Sequence, residues 1–416
     1  MLQGSQFRDD LPLAPADEIR KLKMTDVYVV SGVRTAIGTF GGTLKDIAPT
    51  ALGALVAKEA IRRAGIEPDQ VNDVVFGQVI QSEPQDMYLS RVAAMNAGVP
   101  YQVPALTLNR LCGSGLQAIL TAAQGIMCGT ADIALAGGAE SMSRAPFQIP
   151  GMRWGTKMGD AKMIDTLNGV LTDPFHRILM GVTAENVAER YQVTRDEQDA
   201  LALESHHRAS AAITSGYFKN QILGVEVKSR GKVSIFDTDE HVRHNLTLAD
   251  VQKLNPIFKK EGGTVTPSNA SGINDGAAAV ILASGEAVKK YNLKPLLRLV
   301  SYGNAGVEPD YMGIGPVPAT KLALSRAGLK MADIDVIEAN EAFAAQACAV
   351  SKELGFDPAK VNPNGSGISL GHPVGATGAI NTVKTAYELE RTGKKYGLVT
   401  MCIGGGQGIA AIYERV

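Results

Sequence analysis

The chain switches repeatedly between two spacings of apolar residues. Short runs such as DVYVVSGV (26–33) and AAAVILA (277–283) are almost continuously apolar, which predicts buried β-strands. Longer stretches place apolar residues three and four positions apart, which predicts amphipathic helices. The segment LGALVAKEAIRRAGIEPDQVNDVVFGQV (52–79) reads as such a helix, a turn and a buried strand. TKLALSRAGLKMADIDVIEANEA (320–342) repeats it, with a helix ending in Ala-Gly, an acidic turn and an Asp-Val-Ile strand. Likewise GSGLQAILTAAQGIMCGTADIALAGGAES (113–141) and GATGAINTVKTAYELERTGKKYGLVTMCIGGGQ (375–407) each run glycine turn, helix, strand, glycine turn. Alternating strands and helices predict parallel sheets covered by helices. A repeat of this length predicts two similar α/β halves rather than a solenoid.

The duplication sets the domain organisation expected of the chain. Residues 24–141 with 271–293 form an N-terminal half, and 294–416 form a C-terminal half. Between them, 142–270 has a different character. It contains Trp154, a helix announced by the Thr194–Glu197 capping-box pattern of TRDEQ, and the charged run SRGKVSIFDTDEHVRHN (229–245). This segment is expected to lie over the α/β core as an inserted loop domain, where α/β proteins usually bind ligands. Residues 1–23 carry no apolar targeting core and are expected to be a disordered tail.

Composition narrows the partners. The 416 residues include 41 basic and 42 acidic side chains, a net charge of −1. That balance leaves no electrostatic footprint for nucleic acid or for an anionic membrane. No apolar run approaches the length of a membrane span. The four cysteines, Cys112, Cys128, Cys348 and Cys402, are scattered without any CxxC pair. Reduced thiols in a cytoplasmic protein are therefore expected.

Candidate chemistry gathers in four motifs. In NRLCGSG (109–115), Cys112 follows the predicted strand PALTL and precedes a helix starting near Ser114. A helix N-terminus lowers a thiol pKa from about 8.5 and favours thiolate, although a buried structural cysteine fits the motif equally. In NPNGSGISLGHPVGATGA (362–379), His372 sits in a glycine-rich turn, a setting that favours a ligand-facing imidazole over a core histidine. In VTMCIGGGQG (399–408), Cys402 ends a buried strand and the following glycines offer backbone N–H groups suited to an oxyanion hole. In EANEAFAAQ (338–346), Asn340 and Glu341 are polar residues at a strand end, either turn residues or catalytic ones. Together the motifs supply a nucleophilic thiol, a base, a second thiol and a polar orienter. They lack the paired spacings of a structural zinc site, and no metal is expected.

These motifs, with GAESMSRAP, MGVTAEN and NASGINDGA in the same order, resemble those of the thiolases from Met24 to Val416. The chain is most similar to bacterial biosynthetic-type β-ketothiolases, including broad-specificity enzymes that feed polyhydroxyalkanoate synthesis. The resemblance implies duplicated βαβαβαββ halves stacked as α-β-α-β-α layers with an inserted loop domain. It implies a ping-pong acyltransferase in which Cys112 is acylated, His372 takes its proton and Cys402 moves the α-proton of the second substrate. Asn340 would hold a water that stabilises the enolate with His372, and the N–H groups of Cys112 and Gly404 would form a second oxyanion hole. Arg243 and Ser271 match coenzyme A contacts; Met180, Met312 and Phe343 match the acyl end. Coenzyme A thioesters are then substrates, no cofactor is permanently bound, and a homotetramer built from dimers is implied. A degradative 3-ketoacyl-CoA thiolase of fatty-acid β-oxidation is the alternative. Two departures fall in the implied pocket. TPSNASG places Pro267 and Ser268 where Ala-Gly is common, and ILMG places Leu179 where histidine is common.

Overall fold

The computed structural model describes residues 25–229 and 231–416; the expected tail at 1–23 lies outside them. Nine principal strands carry the core. They are β1 (Val27–Thr35), β2 (Asp73–Gly77), β3 (Ala105–Leu108), β4 (Ile133–Ser141), β5 (Asn274–Ser284), β6 (Leu297–Gly306), β7 (Val336–Ala339), β8 (Tyr396–Ile403) and β9 (Gln407–Arg415). The helices used below are α1 (Pro49–Ala64), α2 (Leu89–Asn96), α3 (Ser114–Met127), α4 (Met180–Arg190), α5 (Arg195–Thr214), α6 (Pro316–Ala327), α7 (Ala344–Leu354) and α8 (Thr377–Thr392).

The halves repeat one topology. The first runs β1-β5-β4-β2-β3 across its sheet and the second β6-β9-β8-β7, with Val361 bridging to Ile337 where a fifth strand would stand. The half-sheets meet at Tyr28–Val29 and Leu297–Arg298. The sheets are mixed rather than parallel. β2 runs parallel to β3 and β4, and β7 to β8, but β5 and β9 are antiparallel to their neighbours. The cause is a reversal of the chain between two sequential strands in each half. In the second half Gly404, Gly405 and Gly406 join β8 to β9, with φ of +79° and +85° at the last two. That backbone suits glycine, so the turn reverses the chain at little cost. In the first half the same junction, β4 to β5, carries residues 142–273 instead.

Element boundaries follow local chemistry. α1 starts at Pro49 and stops at Gly65, whose φ is +70°. Its buried positions Leu52, Val56, Ala57, Ala60 and Ile61 form one stripe against the sheet. α5 begins where Thr194 and Glu197 exchange capping-box hydrogen bonds. β5 buries all eleven residues because helices cover both of its faces.

α3 and α8 form the central layer. They cross so closely that a Cβ on Gly378 would meet the Leu116 backbone nitrogen at 2.2 Å, and one on Gly115 the Ala379 nitrogen at 2.8 Å. Twelve of the sixteen residues of α8 are buried, including Lys384. Lys384 Nζ lies 2.6 Å from Glu338 Oε2 and donates to the Gly365 carbonyl. Burial pushes Glu338 up to about 7 despite this lysine, so the pair is held by its hydrogen bonds at a desolvation cost.

Candidate active site

The crossing of α3 and α8 sets the glycine turns before them side by side. The Cys112 turn is held by its own hydrogen bonds. Asn109 Oδ1 accepts from the Leu111 N–H at 2.8 Å; Ser114 Oγ accepts from the Arg110 N–H at 2.8 Å and donates to the Leu111 carbonyl at 2.7 Å. These bonds hold Leu111 at φ +47°, a conformation disfavoured for a branched side chain. Gly113 lies against β8: a Cβ there would meet Ile403 Cδ1 at 2.6 Å. The Cys112 turn is thereby seated beside Cys402.

His372 is anchored from three sides. Its backbone N–H donates to Asn274 Oδ1 at 2.9 Å, and Nδ1 lies 2.6 Å from Thr377 Oγ1. The Thr377 hydroxyl donates to the Pro373 carbonyl at 2.9 Å, so it accepts from Nδ1–H. That leaves the lone pair on Nε2, which faces Asn340 Nδ2 at 3.4 Å. Burial pushes the imidazole down to about 4, so it is neutral at pH 7. Beneath the turn, Glu140 accepts from the N–H groups of Val79, Ile80 and Gly375. Burial nevertheless pushes its carboxyl up to about 8.

The thiol chemistry differs from the expectation of a thiolate at a helix N-terminus. Burial pushes Cys112 up to about 11, against the opposing pull of the N–H groups of Gly404 and of Cys112 itself. Desolvation outweighs the helix end because the sulfur faces a largely apolar cavity, and no cation among the described residues offsets that burial. Cys402 is fully buried with Met180, Met312 and Ala342; burial, and then the charge of Cys112, raises its thiol pKa.

Of the ten residues to which the resemblance gives a role, eight line one cavity of about 820 Å³: Cys112, His372, Gly404, Arg243, Ser271, Met180, Met312 and Phe343. Glu341 lies outside this cavity, its carboxylate accepting from Ser205 Oγ and Asn362 Nδ2. Cys402 and Asn340 stand behind the cavity wall, both buried. Leu179 and Pro267 also line it, whereas Ser268 is buried away from it. Arg243 is exposed at the mouth, and its backbone N–H donates to His206 Nδ1 at 3.1 Å. Desolvation first, then neighbouring charges, push His206 down to about 3, which keeps that nitrogen an acceptor. Asp239 fixes the same loop to β1 through a buried bidentate pair with Arg34, at 2.7 and 2.9 Å.

The sequence reading missed Thr377, Asn274 and Glu140. Thr377 alone left a signal, a hydroxyl residue four positions after Pro373 at the start of a helix. Thr377→Val is expected to lower kcat about tenfold, because an imidazolium at His372 loses its acceptor. The same loss makes the imidazolium less stable, so the acid limb of kcat/KM stays at or below its wild-type position. A limb moving upward in a pH–rate profile, or an unchanged kcat, would contradict this placement of the proton.

Known proteins are similar to this chain in sequence and fold. Residues 27–286 match the thiolase N-terminal domain family and residues 293–415 the thiolase C-terminal domain family. The chain is 66% identical to Beta-ketothiolase BktB of Cupriavidus necator over 94% of this chain and 99% of that protein. It is 49% identical to an acetyl-CoA acetyltransferase of the same organism, over 94% and 100% of the two chains. The crystal structure of human mitochondrial 3-ketoacyl-CoA thiolase in complex with CoA superposes with a TM-score of 0.91 at 46% identity, covering 94% of this chain and 98% of that one. With both family domains matched in order across a duplicated fold, the chain belongs to the thiolase family.

Proposed function

We propose that the protein is a β-ketothiolase that reversibly condenses acetyl-CoA with acetyl-CoA or a short acyl-CoA through an acyl-enzyme on Cys112. One observation carries the reading: Cys112 and His372, from separate halves, face one cavity, with the N–H groups of Cys112 and Gly404 directed at the sulfur.

In the first half-reaction Cys112 Sγ attacks the acyl carbonyl while its proton passes to His372 Nε2. The N–H groups of Cys112 and Gly404 stabilise the oxyanion, each such donor being worth about 3 kcal/mol of barrier. His372 returns the proton to the departing coenzyme A sulfur. In the second, Cys402 in its thiolate form takes the α-proton of the incoming thioester. The carbanion attacks the acyl carbonyl and expels Cys112 as thiolate, and Cys402 passes the proton to Cys112, which restores both groups. Acylation removes Cys112 as an ionisable thiol, so its thiolate no longer adds to the rise of the Cys402 thiol. The remaining burial keeps it a strong base, matched to a weakly acidic C–H. Asn340 Oδ1 makes no hydrogen bond within the described residues, which fits the holding of a water over the enolate. Arg243 and Ser271 suit the coenzyme; Met180, Met312 and Phe343 form an apolar end suited to a short acyl chain. Coenzyme A thioesters enter as substrates, and the chemistry assigns a role to no resident cofactor.

No helix among the described residues is long and apolar enough to cross a membrane. A cytoplasmic homotetramer built from dimers belongs to the proposal. Exposed Phe147, Trp154 and Met158 in the inserted segment support a second interface. A sizing column tests the assembly.

The experiment on function is a thiolysis panel from acetoacetyl-CoA to 3-ketodecanoyl-CoA. The expected result is the highest kcat/KM at the short end. A maximum at the long end would favour the degradative alternative, and no thiolysis of any member would overturn both.

A further inference from the structure

Outside the reacting residues, Asp173, His176 and Asp310 converge. Asp173 Oδ2 accepts from the N–H groups of Phe175 at 2.9 Å and His176 at 2.7 Å, which folds the loop back on itself. His176 Nδ1 lies 2.5 Å from Asp310 Oδ1. One donor atom from each of the three lies within 4.8 Å of the others. A separate observation concerns Asp173 itself: its residue is fully buried, and Oδ1 has no hydrogen-bond partner among the described residues. A buried carboxylate oxygen without a donor is costly, and a cation is the partner that relieves it.

We propose that Asp173, His176 and Asp310 form a binding site for a divalent first-row transition cation, tying the loop before α4 to the turn Pro309–Ile314. One imidazole nitrogen and two carboxylates suit Zn²⁺, and three protein ligands leave a coordination position for water. Metal–ligand distances of about 2.1 Å set tetrahedral donor atoms roughly 3.4 Å apart. The ion therefore replaces the proton between His176 and Asp310, whose atoms open from 2.5 Å by about 1 Å while the wider spacings within the trio close, a small adjustment for a loop and a turn. His176, its side chain 56% exposed, gives the ion access from solvent. The tie has a structural consequence. Met180 follows His176 by four residues and Met312 follows Asp310 by two, and both line the active-site cavity. The ion fixes the spacing of these two walls and takes part in no bond-making step.

The test is calorimetric titration of the full-length, chelator-stripped enzyme with Zn²⁺. The expected result is that wild type binds one Zn²⁺ per chain more than His176→Ala or Asp310→Asn, or binds that ion at least tenfold more tightly. His244→Ala, which alters an exposed histidine outside the trio, retains wild-type binding. The difference from wild type isolates this site from any uptake by the cavity thiols. Because the His176 and Asp310 side chains are partly exposed, both variants are expected to keep the metal-free melting temperature. A shift in melting temperature on adding Zn²⁺ is then expected for wild type alone. Equal stoichiometry and affinity in wild type and both variants, or equal Zn²⁺-induced melting shifts, would overturn the site.

Discussion

Cys112→Ser is expected to abolish covalent labelling by radiolabelled acetyl-CoA and to lower thiolysis by roughly 10⁴-fold. The reason lies in the balance between the thiol and its base. With Cys112 pushed up to about 11 and His372 down to about 4, a preformed thiolate–imidazolium pair is disfavoured. Proton transfer therefore accompanies attack, and the barrier depends on how much charge the nucleophilic atom tolerates. Sulfur tolerates it, because its thiolate is polarisable and a high thiol pKa raises intrinsic nucleophilicity. A serine hydroxyl is several units less acidic, so the same weak base is asked for a far harder proton. The substitution changes little else, since the turn is set by Asn109, Leu111 and Ser114 rather than by the sulfur. The readout is label retained on denatured enzyme. Label that persists in the serine variant would remove Cys112 as the acylated residue.

Cys402→Ser is expected to separate the half-reactions. Acylation of Cys112 continues, so labelling survives, while condensation falls by roughly 10²- to 10³-fold. The α-proton of a thioester is weakly acidic, and its removal calls for a base of comparable strength. Cys402 meets that demand through burial among Met180, Met312 and Ala342, which destabilises its thiolate. Serine in the same pocket is too reluctant to ionise to act as that base. Condensation at the wild-type rate would exclude Cys402 from proton transfer. Loss of labelling as well would show that the buried cluster supports the Cys112 turn itself.

Much of the fold was legible in local patterns. Apolar runs marked β1, β5 and β8, and the Thr194 capping box marked the start of α5. The repeat of helix, acidic turn and strand identified the duplication. The expectation of parallel sheets needed correction because five of the eight pairings along the nine strands are antiparallel, and a glycine turn that reverses the chain is a weaker signal than a run of valines. The pattern of α8 does not announce that Lys384 and Glu388 are buried; their cover comes from residues distant in the chain, Glu338 of β7 over Lys384 and Asn364 over Glu388.

The sequence by itself determined the secondary structure, the duplication and the residues able to do thiol chemistry, because residue spacing and side-chain type act over a few positions of chain. The tertiary structure decided how they work together. Gly115 and Gly378 let α3 and α8 approach backbone to backbone, which brings Cys112 and His372 to one cavity from opposite halves. Thr377 selects the imidazole tautomer, and desolvation holds Cys112 protonated where the helix end alone would favour thiolate. Those outcomes depend on what packs against each group and how much water it excludes, quantities set by contacts between residues hundreds of positions apart.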